Sequence, residues 1–241
     1  MSFSDTTKYY ENKWTQWDDM KTHGPMSKHV RRIIFRLLKD IDFESVADIG
    51  CGVGTLLAEL EKLKPNLELT GTELYPDSLK IAQKRLPQAT FKQLDLVAGK
   101  LKPSFDLTLC VDVFEHIPED EKAMKHLAKM TKKYALIVVP LGPLFEVETA
   151  RVGHVHGYSK KEFDTKLRKA GLIVVTSVQW GFPFYNLYRR LLHRLPESTT
   201  TGKYTWKKKL TSQILYWMLF LNSNSRWGER YFVLCQKKSR S

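Results

Sequence analysis

Seven residues, Asp48-Ile49-Gly50-Cys51-Gly52-Val53-Gly54, concentrate the chemical signal of this 241-residue chain. Glycine at every second position lets the backbone turn tightly and lets a ligand lie against bare main chain. A helix starting immediately afterwards would offer free N–H groups to it. The dinucleotide pattern G-x-G-x-x-G needs glycine at position 55, which is Thr55, and the phosphate P-loop needs a Gly-Lys-Ser/Thr that does not follow. Alone, the loop fits an ordinary strand-to-helix turn equally well. Carboxylates downstream change the balance: Glu73, then Asp95, then Asp112 with Glu115 and His116. Glu73 could accept hydrogen bonds from two ribose hydroxyls, and Asp95 from an adenine amino group. Any one of these acids could simply cap a helix; four acids at consecutive strand ends point to one shared crevice.

Those strand ends follow from the hydropathy pattern. Short β-rich runs at 45–49, 67–73, 90–94, 105–111, 134–139, 172–180 and 231–235 predict seven strands. Helical stretches at 55–63, 76–86, about 119–132 and 159–170 separate the first six, whereas LVAGKLKPS, between the third and fourth, is too short and too rich in Gly and Pro for a good helix. Such alternation predicts an α/β fold: a mostly parallel sheet covered by helices on both faces, whose carboxyl ends form the crevice. An amphipathic helix precedes it, with Val30, Ile33, Ile34, Leu37, Leu38 and Ile41 at helical spacing.

Charge is unevenly distributed. The chain carries 39 Lys plus Arg against 26 Asp plus Glu, a net of +13. Residues 181–241 hold 12 of the basic and 2 of the acidic side chains, so the last quarter supplies +10. With 42% hydrophobic residues, the composition excludes a disordered chain, and three cysteines, Cys51, Cys110 and Cys235, exclude a disulfide framework. Each cysteine lies in or beside an apolar run and is expected to be a reduced core residue of a cytoplasmic protein. No secretory signal is visible at the N-terminus, and the longest apolar run, 214–221, is far too short to span a bilayer.

The segments VADIGCGVGT, GTELYPDSLKIAQKR, FKQLDL and FDLTLCVDVFEHIPED, followed by GHVHGYSKKEFDTKLRKAGL, resemble a class I S-adenosylmethionine-dependent methyltransferase. Within that family the likeness is to the broad group containing the quinone-biosynthesis enzymes, and it covers residues 46–180. It implies a Rossmann-like seven-stranded sheet whose last strand runs antiparallel between the fifth and sixth. It also implies S-adenosylmethionine as cofactor. By resemblance, Gly50, Cys51, Gly52 and Gly54 form the loop beneath the methionine part, with Asp48 near its ammonium group. Glu73 would hold the ribose hydroxyls and Leu74 would pack on the adenine. Asp95 and Leu96 would border the adenine, and Asp112 with Val113 would supply backbone contacts. No metal site is expected. His154, His156 and a carboxylate such as Glu146 or Glu148 have ligand chemistry, but no further ligand cluster accompanies them.

The implied chemistry is in-line displacement, in which orienting two bound reactants supplies most of the rate. A hydroxyl acceptor is helped by a base, for which His116, His154 and His156 are the candidates. Aromatic residues Tyr9, Tyr10, Trp14 and Trp17, with His23-Gly24-Pro25, either form a lid or anchor the first helix.

The single domain therefore divides into an N-terminal helical cap (1–44), a cofactor-binding core (45–180), a basic, aromatic helical insertion (181–229) and a terminal strand with tail (230–241). Family members join the last two strands by a short hairpin, so the insertion is a departure. Its predicted helices, 184–195 and 206–221, admit three readings: packing on the sheet edge with arginines in water, building an acceptor pocket, or lying on a membrane surface. The leading function is methylation of a small or lipid-like acceptor, with oxygen ranked ahead of carbon and nitrogen as the methylated atom. Nucleic-acid methylation and a non-catalytic cofactor-binding module are the alternatives.

Overall fold

In the computed structural model, residues 16–238 are described. A sheet in the order β3-β2-β1-β4-β5-β8-β6-β7 runs through the molecule. Its strands are β1 (Ser45–Ile49), β2 (Glu68–Glu73), β3 (Thr90–Gln93), β4 (Phe105–Val111), β5 (Thr131–Pro140), β6 (Leu172–Phe182), β7 (Ser223–Asn224) and β8 (Arg230–Lys237). The first five are parallel, and β8 is antiparallel to both β5 and β6. The mostly parallel sheet with an antiparallel last strand is as expected; among the described residues the count is eight, not seven. The additional strand is the two-residue Ser223–Asn224, which pairs with the end of β6. Two polar residues carry no alternation of hydropathy, so nothing in the pattern announces them.

Strand alternation divides the core between two faces. Leu107 and Leu109 of β4, Leu136 and Val138 of β5, and Phe232 and Leu234 of β8 meet α1 (Pro25–Leu38) and α2 (Thr55–Leu63) on one side. Cys110, Ala135, Ile137, Val139, Tyr231, Val233 and Cys235 face α4 (Asp120–Met130) and α6 (Lys160–Lys169) on the other. The α3 helix (Pro76–Arg85) lies between β2 and β3, with Pro76 in its first turn, where its missing N–H costs nothing. All three cysteines are buried free thiols.

A short helix, α5 (Glu146–Val152), follows β5 and ends at Gly153, whose φ of 71° closes it in the left-handed conformation. No side chain of α5 is buried, so it lacks the apolar periodicity by which a sequence announces a helix. The connection from β6 to β8 folds into α7 (Phe184–Arg194) and α8 (Trp206–Met218), the latter prolonged by a 3-10 turn over Leu219–Leu221.

Candidate active site

The glycine loop is built by its backbone. Gly50, Gly52 and Gly54 have φ of 74°, 53° and 74°, a region that costs other L-residues about 1–2 kcal/mol. The Gly50 and Cys51 amides both donate to the Thr72 carbonyl, at 2.8 and 2.9 Å, which folds the loop back over the end of β2. There Glu73 is 8% exposed. Its two carboxylate oxygens accept from the Gly52 amide at 3.0 Å and from the Leu74 amide at 2.8 Å. Each oxygen retains acceptor capacity, so a ligand with vicinal hydroxyls fits this carboxylate.

Asp48 is buried at the end of β1, between Gly71 and Leu109. Burial, reinforced by the charge of Glu73, pushes its carboxyl up to about 7. A cationic amine brought beside it would relieve both effects. Burial likewise raises Glu73. Cys51 is buried against Gly71, and burial pushes its thiol far up, so it acts as packing and not as a nucleophile. Leu74 is half-buried beside the crevice, its carbonyl accepting from Gln93 Nε2 at 2.8 Å.

Across the loop, a Cβ on Gly50 would lie 2.4 Å from Val113 Cγ2, so the glycine loop and the turn after β4 are in contact. Asp112 begins that turn at φ 57°. Burial opposes its charge, but the ion pair with Arg230 prevails and holds the carboxyl below its ordinary range. Glu115 is 1% exposed, and its Oε2 has no hydrogen-bond partner. Burial, then repulsion from Asp112, raises it to about 8.

The remaining expected residues lie further out. Asp95 is exposed beyond β3, where Oδ1 accepts from the Val97 and Ala98 amides at 2.8 and 3.3 Å. Leu96 is 5% exposed and packs in the second core, its carbonyl 2.8 Å from His126 Nδ1.

The three histidines separate. The His156 ring stacks on Tyr158, and its Nε2 donates to the Ile117 carbonyl at 2.8 Å, so His156 fastens its own loop. His116 lies with Nδ1 3.4 Å from the Gly153 carbonyl, and burial, with the charge of His154 adding to it, lowers it to about 4. His154 lies 4.9 Å from His116, centroid to centroid, and its Nδ1 is 3.5 Å from Glu148 Oε2. The ligand atoms of Glu115, His116 and His154 all lie within 4.8 Å of one another, an N/O donor set able to hold a cation. Of the ligand types noted in the sequence, His154 lies beside Glu148, but His156 turns away to Ile117, and the gathered donors are Glu115, His116 and His154.

Several charged groups escaped the sequence reading. Lys21, on the helical segment 16–23, lies close enough for its charge to act on Asp48, Glu73, Asp112 and Glu115. That segment is clamped over the glycine loop: Arg85 donates to Asp18 at 2.7 Å and to the Val53 carbonyl at 2.8 Å, and Arg31 donates to the Lys21 and Thr22 carbonyls at 2.6 and 3.1 Å. Trp17 is buried, whereas Tyr9, Tyr10 and Trp14 lie outside the described residues. Arg189 does not sit in water, as the sheet-edge reading of the insertion has its arginines do. It is 7% exposed, chelates Glu148 at 2.6 Å through both Nε and Nη2, and reaches Glu229 at 3.1 Å. Two carboxylates around one guanidinium, buried Glu229 and half-buried Glu148, supply the compensation that water would otherwise give. No residue spacing signals such a pairing, since its members are about 40 positions apart.

Residues 47–137 match the model of a methyltransferase domain. Over that stretch the chain carries a methyltransferase domain. Its similarity to curated methyltransferases covers about half of the chain or less. A trans-aconitate 2-methyltransferase of Afipia carboxidovorans is 23% identical over 128 residues, 53% of this chain and 50% of that protein. A ubiquinone biosynthesis O-methyltransferase of Hydrogenovibrio crunogenus is 29% identical over 129 residues, 50% of this chain and 52% of that protein. The chain thus spans about half the length, or less, of the curated relatives it matches. Among solved methyltransferases, Haemonchus contortus phosphoethanolamine N-methyltransferase 2, in complex with S-adenosyl-L-methionine, superposes with a TM-score of 0.67 at 17% identity, covering 98% of this chain and 59% of that one. The magnesium protoporphyrin IX methyltransferase of Synechocystis, with bound SAH, gives 0.61 at 14% identity, covering 98% and 100%. At those identities the structures establish that this chain shares their fold.

Proposed function

We propose that this methyltransferase transfers a methyl group from S-adenosylmethionine to an oxygen of a small or lipid-like acceptor. The observation that carries the cofactor half is the Glu73 carboxylate, anchored by the Gly52 and Leu74 amides at the end of β2. With Asp48 at the end of β1, it presents one acceptor for vicinal hydroxyls and one for an ammonium group. Gly50, Gly52 and Gly54 would pass beneath the cofactor, with Val113 and the Asp112 backbone on the opposite wall. Leu74, Asp95 and Leu96 would border its base. When bound, S-adenosylmethionine supplies an electrophilic sulfonium methyl open to in-line displacement.

The acceptor half rests on His154. Glu148 beside Nδ1 favours the tautomer protonated there, which leaves Nε2 with the lone pair needed to take a proton from a hydroxyl. His116, held neutral by burial, and His156, tied to Ile117, would shape the wall. An oxygen acceptor accords with the name of the ubiquinone biosynthesis O-methyltransferases among the relatives. An apolar acceptor accords with the aromatic insertion that holds Glu148.

Incubating cell lysate with methyl-labelled cofactor, with and without the protein, tests this reading. Label is expected in an organic-extractable small molecule as an alkali-stable ether or as an ester. Label confined to RNA, or to nitrogen of a water-soluble amine, would overturn it.

A further inference from the structure

The α8 helix has two apolar faces, and only one is covered. On the inner side Tyr216 and Phe220 pack against the His29 ring at centroid distances of 4.5 and 4.7 Å, and Leu219 is fully buried. On the outer side Trp206, Leu210, Ile214 and Trp217 recur at spacings of three or four, and Leu221 continues the stripe into the terminal turn. They are 70%, 55%, 62%, 63% and 67% exposed. A helix covering a soluble domain normally turns charged residues to water on that side. An apolar row of this size marks a surface that meets another phase or partner.

Charge identifies which. Lys207 and Lys209 are exposed one position to either side of the stripe, and Lys203 and Arg226 are exposed nearby. No Asp or Glu occurs between Ser198 and Gly228. The Lys207 ammonium lies 5.6 Å from the Trp206 ring centroid, and the Arg226 guanidinium 4.9 Å from that of Trp227. Indole rings with cations beside them suit the headgroup level of a bilayer, with the aliphatic side chains deeper and phosphates against the cations. A second copy of this face would set lysines against lysines, which disfavours self-association.

We propose that the outer face of α8 docks this methyltransferase on an anionic lipid surface. The docked face is rigidly joined to the roof of the crevice. Ser212 donates to the His23 carbonyl at 2.5 Å, the Tyr204 amide donates to Asp19 at 2.6 Å and the Gly202 amide donates to the Gln16 carbonyl at 2.8 Å. These are contacts to the segment that carries Lys21. The inference rests on this surface alone and stands whatever the acceptor is.

Flotation of the full chain with phosphatidylcholine vesicles, with and without phosphatidylglycerol, is the test. The protein should float with the anionic vesicles only, with a blue shift of tryptophan emission. Trp206→Ser combined with Trp217→Ser should lower the partition coefficient about tenfold or more, and Lys207→Ala with Lys209→Ala about fivefold per lysine. Thermal melting of both variants should match the wild type, because the altered side chains are exposed. Wild-type protein remaining at the bottom of the gradient would overturn the proposal. Flotation of the tryptophan variant equal to wild type would reduce it to simple charge adsorption and overturn it too. A dimer abolished by the tryptophan substitutions, or tight RNA binding without vesicle binding, would assign the face to a different partner.

Discussion

Arg189 grips Glu148 in a two-pronged ion pair, Nε to Oε1 and Nη2 to Oε2, both at 2.6 Å. The pair joins the insertion's first helix to α5, and through Glu148 it reaches His154. Glu148 is half-buried, which opposes its charge, yet its hydrogen bonds to His154 and Arg189 hold its carboxyl far below the ordinary range. The additional helices are thereby tied to the histidine proposed to meet the acceptor.

Arg189→Met should be among the most damaging single substitutions outside the core. It takes the shared cation from buried Glu229 and half-buried Glu148, leaving Arg190 beside the one and His193 and His154 beside the other, a loss of up to about 3 kcal/mol. Denaturant unfolding checks this against Arg194→Met, an exposed arginine whose loss should be nearly neutral. Adding Glu148→Gln to Arg189→Met should recover part of the stability while methyl transfer stays impaired. Equal stability of the two single variants would show that Arg189 is merely a surface residue.

Gly50→Ala tests the loop against the turn after β4. The left-handed φ should cost about 1–2 kcal/mol, and the new Cβ would press on Val113 Cγ2, 2.4 Å away. Combining it with Val113→Ala should relieve the steric part and leave the conformational part. A Gly50→Ala protein as stable as wild type by thermal melting would contradict this loop geometry.

Asp48 should leave a signature in the pH dependence of stability. Burial, then the Glu73 charge, raises its carboxyl from 3.8 to about 7, so the folded ligand-free protein keeps a proton that the unfolded chain has lost. Stability is therefore undiminished below pH about 4 and falls as pH rises towards 7, by at most about 4 kcal/mol, then levels. Asp48→Asn should flatten that slope, the two proteins diverging between pH 4 and 7 in guanidinium unfolding. Parallel curves would mean that Asp48 is not held in its neutral form.

The sheet was legible in the chain because its strands are short apolar runs bounded by turn residues, and each predicted run has its counterpart in the structure. Ser223–Asn224 and α5 escaped because neither buries apolar side chains: one is a two-residue polar strand, and the other is held by its charged side chains Glu148 and Arg151. At the site, residues adjacent in sequence were readable: the glycines, Asp48 beside them, and the 112–116 cluster. Partnerships formed in space were not, since Arg230 meets Asp112 across more than a hundred residues and Lys21 arrives from a segment before the sheet. The histidines show the same limit. His154 and His156 are indistinguishable by spacing, and only the Ile117 carbonyl and the Glu148 carboxylate assign them different partners.

The central claim, that the crevice over β1 and β2 holds S-adenosylmethionine, is tested most directly by titration calorimetry with S-adenosylhomocysteine. One site per chain is expected, with an affinity at least about tenfold weaker in Glu73→Ala, where two charge-assisted hydrogen bonds to the ribose hydroxyls are lost, and thermal melting confirming that the variant is folded. No heat of binding to the wild-type protein, or equal affinity in a folded Glu73→Ala, would contradict it.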